Sequence, residues 1–268
     1  GYFMIAPAYI IYVMFVLVPI IIGLYYSLTN YNFYKTQDFV GIDNYIMLAS
    51  DKTFLRAILN TAKYAVYTIF PNIILALLLA VAVNRKMRST KFIRTSIYIP
   101  NVTSMVAVSM IWLWIYDPTL GVLNRLIKVF GMEAIPWLFN EKTAFASIVV
   151  MSIWKSLGYN MIVFLAGLQG IPESLYEAAT VDGASATRKF FHITVPMLKP
   201  TTFFIFVTAC IGSFSVFEQV NILTNGGPLN STTTIVHQIY LRAFTDFRMG
   251  YASAMAMVLF IIVAIITL

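Results

Sequence analysis

The stretch YAVYTIFPNIILALLLAVAVN, residues 64–84, runs for 21 residues between Lys63 and Arg85 without a charge. A hydrocarbon core of about 30 Å is crossed by roughly 20 apolar residues in a helix. This segment alone therefore directs the chain into a bilayer. Three more charge-free stretches flank it: 34 residues ahead of Lys35, 22 between Arg94 and Asp117, and 20 after Arg248. Two further apolar runs each carry one charge, 144–168 with Lys155 and 201–222 with Glu218. The expected fold is an all-α membrane protein, a bundle of six transmembrane helices forming one domain over residues 1–268. The spans are expected near 3–28, 62–84, 97–116, 144–168, 201–222 and 250–268.

Composition agrees. Of 268 residues, 60% are hydrophobic and 11% charged, and the mean hydropathy is +0.81. A soluble domain carries about a quarter charged residues, and a disordered chain needs low hydrophobicity. Both classes are excluded. The first run is about twice as long as a signal-peptide core and is interrupted by Pro7 and Pro19, so it is expected to be a span rather than a cleaved leader. The net charge of +7 does not point to nucleic acid. Five cations (Arg85, Lys86, Arg88, Lys91 and Arg94) lie in the single loop NRKMRSTKFIR, residues 84–94. Together with Arg188, Lys189 and Lys199, they mark the second and fourth loops as cytoplasmic, because lysine and arginine are retained on that side.

The chemistry of an enzyme is missing. No glycine precedes a lysine, so the phosphate-cradling G-x-x-x-x-G-K-[ST] loop cannot occur. His192 and His237 lie far apart with no H-E-x-x-H, and G-x-S-x-G is also absent. Cys210 is the one cysteine, which rules out an internal disulfide. No catalytic residue, metal or cofactor is expected in this chain.

The fourth loop carries the most information: GIPESLYEAATVDGASATRKFFHITVPMLKP, residues 170–200. Pro172 suits the first position of a helix and Glu173 its positive end. Gly183 is the natural stop, because glycine enters the left-handed region cheaply. Ala184 to His192 can form a second helix, Pro196 can end it and Pro200 can start the next span. The expectation is two short helices about a glycine turn at the cytoplasmic surface. A plain connector between two spans satisfies the same physics. Small residues at Ala178, Ala179, Ala184 and Ala186, with acids at Glu177 and Asp182, also suit close approach by another protein.

Glu177-Ala178-Ala179, then Gly183, then Ile193-x-x-Pro196, resembles the "EAA" loop of binding-protein-dependent ABC importer permeases. Leu223-Thr224-Asn225-Gly226-Gly227-Pro228 with Ser231-Thr232 is similar to the segment after the fifth span in the carbohydrate-uptake branch of that family. Gly250-Tyr251-Ala252-Ser253-Ala254 and Ile5-Ala6-Pro7 fit as well, and the maltose-type first permease subunit is the nearest pattern. The resemblance implies an ABC type I importer transmembrane domain in a prokaryotic cell (inner or plasma) membrane, with residues 169–200 as the cytoplasmic coupling loop. It implies that Glu177, Ala178, Ala179, Asp182, Gly183 and Ala184 meet an ATPase. It also implies a second homologous permease subunit, two cytosolic ATPase subunits that bind the ATP and Mg, and an extracellular solute-binding protein. The implied cargo is a sugar or oligosaccharide. Glycerol phosphate is the alternative, since Lys155 in a cavity would suit an anion. A secondary transporter without an ATPase is the reading from another class.

Polar groups inside spans are costly, and they usually face a cavity or a partner. Lys155, Ser156, Tyr159 and Asn160 cluster in the fourth span, and Ser156 and Asn160 share a helical face. Thr208, Gly212, Ser215 and Gln219 form a stripe in the fifth, with Glu218 three residues beyond Ser215. Helix–helix packing accounts equally well for Thr208, Gly212 and Ser213. The resemblance implies sugar contacts near Asn101, Ser156, Tyr159, Ser213 and Ser215, although Asn101 and Ser156 depart from the maltose-type residues. With Asn160 and Glu218 these form the candidate cargo site. Helical rise places Lys155 and Glu218 about 10 Å apart in depth, close enough to sense each other across a cavity.

Overall fold

The computed structural model describes residues 2–34, 37–84 and 90–267. Arg85, Lys86 and Arg88 of the basic loop lie outside the described residues. In chain order the helices are α1 (Met4–Ser27), α2 (Asp43–Ser50), α3 (Lys52–Val83), α4 (Thr90–Val102), α5 (Met105–Ile115), α6 (Val122–Val129) and α7 (Glu141–Gln169). They continue with α8 (Glu173–Val181), α9 (Ala186–Met197), α10 (Lys199–Phe214), α11 (Glu218–Leu223), α12 (Ile235–Tyr240) and α13 (Met249–Thr267). The described residues contain no strand. Four helices, α1, α3, α7 and α13, are long and apolar enough to cross a membrane, and up to six spans result if two bent pairs each count as one.

Those bent pairs are where sequence and structure part. The run expected as one span over 97–116 is two helices, α4 and α5, bent by 101°. Pro100 lies in the last turns of α4, where it has no N–H to donate, and Ser104 is extended at φ −53°, ψ 138°. The helix ladder cannot continue through that backbone. The fifth run, expected over 201–222, also divides: α10 ends at Phe214 and α11 starts afresh at Glu218. Between them Val216 gives its carbonyl to the Thr234 hydroxyl at 2.9 Å, so a distant loop holds the chain out of helix. The second bent pair is α9 with α10, turned by 61°.

α3 and α7 form the centre. α4 packs on α7, α10 on α3, and α13 on both α1 and α10. Asp51 starts α3 by accepting the N–H groups of Thr53 and Phe54. Gly158 lets α4 lie against α7 at backbone distance, because a Cβ there would run into the Ile97 carbonyl oxygen. One apolar cluster joins α3, α10 and α13 through Ile69, Phe214 and Met255. A second joins Tyr64, Tyr116, Met151 and Val220. A third joins Ala76, Ala80, Phe164, Leu168 and Leu198 at the end of the bundle nearest α8 and α9. Tyr116 is buried, and its hydroxyl donates to the Ser147 carbonyl at 2.9 Å.

The segment between α11 and α12 is fastened to α3 by polar side chains. Asn60 donates to the carbonyls of Asn230 and Thr233, and Arg56 to that of Leu229. The buried His237 ring lies between the Thr233 hydroxyl at 3.1 Å and the Asn225 side chain at 3.3 Å. Burial pushes its pKa below the ordinary histidine value, so the ring stays neutral.

Candidate functional site

A cavity of about 360 Å³ lies between α3, α4, α5, α7, α10 and α11. Each contributing helix is broken or interrupted where the cavity forms, or carries polar residues four apart on that side. Asn101 reaches the cavity because α4 stops just beyond it. Ser156, Tyr159 and Asn160 come from α7 and Ser213 from α10. These five expected cargo residues therefore share one space. Ser215 and Glu218 do not line it. Ser215 is exposed and donates to the Ile211 carbonyl at 3.0 Å. Glu218 is exposed in the first turn of α11, and no ion pair joins it to Lys155.

The wall holds residues that sequence reasoning passed over. Tyr64, Thr68 and Asn72 of α3 all line it. They recur every four residues in an otherwise apolar span, and that spacing was the available signal. Asn72 is the hub: it donates to the Ser156 hydroxyl at 2.8 Å and accepts from the Asn160 amide at 2.7 Å. Gln219 donates to the Tyr64 hydroxyl at 3.0 Å. Thr68 and Ser213 approach to 3.4 Å. The lining thus sets amides, hydroxyls and the Tyr64 and Tyr159 rings among apolar side chains such as Ile69 and Met105, so polar groups are available to bond a hydroxylated molecule while apolar surface packs against its carbon skeleton.

Lys155 is the only ion of that lining. Its ammonium donates to the carbonyls of Pro100 at 3.2 Å, Asn101 at 3.3 Å and Thr103 at 2.7 Å. An ammonium has three N–H donors, so all are engaged by backbone.

At the other end, α8 and α9 meet at an elbow. Gly183 takes φ +71° with nothing within 4 Å of a Cβ there, so conformation rather than space selects glycine. Pro172 caps α8 from outside instead of occupying its first position. The second helix starts two residues later than Ala184, because the Ser185 hydroxyl accepts the Arg188 N–H and makes Ser185 the cap. It also passes through Pro196, since a wider turn over Phe190–Thr194 precedes the proline and a new helical segment begins there. Two bonds brace the elbow: Tyr176 to Thr194 at 2.8 Å, and Lys189 to Thr180 at 2.7 Å. Tyr176 and Ile193 pack on the third apolar cluster, which ties the elbow to α3, α7 and α10. Glu177, Ala178, Asp182 and Gly183 are exposed, and Ala179 and Ala184 half-buried. Sequence reasoning passed over Val181, an apolar side chain 89% exposed four residues beyond Glu177.

The family model of the binding-protein-dependent transport system inner membrane component matches residues 72–268. The chain is 36% identical over 272 residues to the "Probable ABC transporter permease protein YurN" of Bacillus subtilis, covering 100% of this chain and 93% of that one. It is 34% identical over 268 residues to the sn-glycerol-3-phosphate transport system permease protein UgpA of Agrobacterium fabrum, covering 99% and 91%. A bacterial alginate ABC transporter, solved in complex with an alginate pentasaccharide-bound periplasmic protein, superposes with a TM-score of 0.88 at 26% identity, over 99% of this chain and 90% of that one.

Proposed function

Since this chain belongs to the family of binding-protein-dependent transport system inner membrane components, we propose that it forms one half of the translocation pathway for an uncharged sugar or oligosaccharide. It is a multi-pass transport permease of an ABC importer rather than an enzyme. The observation that carries the cargo reading is the cavity wall. It offers amides, hydroxyls and the Tyr159 ring, while the donors of Lys155 are engaged by carbonyls.

Energy arrives from outside the chain. Two cytosolic ATPase subunits hold ATP and Mg and grip the elbow at Glu177, Ala178, Ala179, Asp182, Gly183 and Ala184, with Val181 as an apolar peg. Closure of the ATPases moves the braced elbow as a rigid unit. Through the apolar cluster beneath it, that motion turns α3, α7 and α10 against one another and changes which side the cavity faces. A binding protein delivers cargo on the outer side, and a second permease supplies the facing wall.

An anionic cargo is the second reading. UgpA is named for glycerol phosphate, and the alginate transporter carries an acidic sugar polymer. ATPase stimulation of the reconstituted importer with its binding protein separates the two. Neutral di- and trisaccharides are expected to stimulate. Stimulation by sn-glycerol 3-phosphate or alginate oligosaccharides, with none by neutral sugars, overturns the neutral reading.

A further inference from the structure

The break in the third span leaves a helix end inside the bundle. α4 stops at Val102, and its last carbonyls have no N–H ahead of them because α5 departs at 101°. Unpaired carbonyls away from water are costly, and a helix C-terminus carries roughly half a negative charge. Three of the carbonyls that surround this end, those of Pro100, Asn101 and Thr103, converge on the Lys155 ammonium. Lys155 is itself buried at 9% exposure, reaching across from α7, which lies close to α4 because of Gly158. The arrangement is a carbonyl cation site filled by a tethered ammonium.

We propose that Lys155 is a positioning residue for the cargo pathway: its ammonium holds the end of α4 and thereby fixes the bend that presents Asn101 to the cavity. The lysine acts on the backbone of the third span, and Asn101 and Met105 on either side of the break follow it onto the cavity wall. A straight third span would carry Asn101 along with the helix and remove the corner that the cavity occupies. The significance of this rests on the cargo reading above, but the geometry can be tested without any cargo.

The test measures the bend directly. Spin labels at Lys91 and Leu113, both exposed, flank the break in the intact importer, with Cys210 replaced by alanine. At 1.5 Å per residue, a straight helix separates them by roughly 33 Å and the bent pair by roughly 21 Å. The parent and Lys155→Arg, which keeps N–H donors and charge, are expected to give one narrow distribution near the shorter distance. Lys155→Met is expected to broaden it and move it outward. In Lys155→Ala, methylammonium is expected to restore the narrow distribution by refilling the carbonyl site, while tetramethylammonium chloride at equal ionic strength, which has no N–H to donate, is not.

Lys155→Gln covers the case in which the methionine variant does not assemble. Failure of both uncharged variants beside a normal Lys155→Arg reports the same dependence. A Lys155→Met distribution matching the parent overturns the proposal, as does Lys155→Arg behaving like Lys155→Met, or restoration by tetramethylammonium chloride, whose cation has no N–H to donate. A normal bend with unchanged transport in Lys155→Met would sink only the lysine's role. Loss of the bend with transport unaffected would instead remove the cavity from the cargo pathway.

Discussion

At the residue scale, two glycines predict opposite phenotypes. Gly158 sits at the crossing of α4 and α7, and any side chain there meets the backbone of Ile97 and Tyr98. Gly158→Val is expected to cost about 1–3 kcal/mol, as overpacking of a filled contact does, and to lower the melting temperature of the purified complex. Gly212 lines the cavity and has nothing within 4 Å of where a Cβ would be. Gly212→Val is expected to leave that temperature unchanged and to remove most transport by narrowing the cavity. A destabilised Gly212→Val protein would show that the space is packing and not pathway.

At the scale of elements, the elbow and the loop between α11 and α12 each behave as a unit. The elbow is braced by Tyr176–Thr194 and Lys189–Thr180, and only Gly183 needs a left-handed backbone. A non-glycine residue there costs roughly 1–2 kcal/mol. Gly183→Val, Glu177→Lys and Val181→Asp are expected to insert and assemble normally while transport falls and ATP hydrolysis loses its response to cargo. Cargo-stimulated hydrolysis at parental level in all three would contradict the coupling role. The loop between α11 and α12 packs around neutral His237 through Thr233 and Asn225. Its folded pKa lies below the ordinary 6.5 because of burial. Its contribution is therefore present above 6.5 and is lost as pH falls towards the folded value. Protection factors of the amides over residues 224–237, each taken against the intrinsic exchange rate at that pH, are expected to fall on acidification below 6.5 in the parent and to hold steady in His237→Gln. An unchanged protection profile would remove the ring from the loop's stability. Asp51 behaves in the corresponding way at lower pH. Burial opposes its charge, but hydrogen bonds from Tyr251, Phe54 and Thr53, and the nearby Arg242, together hold its pKa below the ordinary carboxylate value. The α3 cap therefore persists above that value and weakens only in stronger acid.

At the scale of the whole molecule, much apolar surface is left uncovered by the chain itself. No residue in the apolar window of α1 is buried. Large apolar side chains such as Phe15, Ile21, Phe92, Phe203 and Ile265 face outward on several helices. Lipid covers part of this surface, and the proposed second permease would cover another part. Native mass spectrometry of the importer extracted in mild detergent is expected to give one copy of this chain, one of a homologous permease and two ATPases. An isolated monomer active on an ion gradient would return the secondary-transporter reading.

The sequence by itself determined the class of fold and the glycine elbow between α8 and α9. Charge-free runs of 20 residues and more have one low-energy environment, and the spacing from Glu177 through Gly183 to Pro196 is local chemistry that survives any packing. It also pointed to five residues of the cavity: Ser156 and Asn160 by their four-residue spacing in an apolar span, and Asn101, Tyr159 and Ser213 by the family resemblance. The tertiary structure alone decided that the third and fifth runs break, and that the Lys155 ammonium is held by carbonyls at the end of α4 while the Glu218 charge acts on it from beyond ion-pair distance. It also decided that Asn72 joins Ser156 to Asn160. Each depends on a partner far away in the chain: the carbonyls held by Lys155 lie more than 50 residues from it, and those paired with Asn72 lie more than 80. Hydropathy averages over neighbours in sequence. A hydrogen bond between distant segments changes that average hardly at all, yet decides where a helix stops.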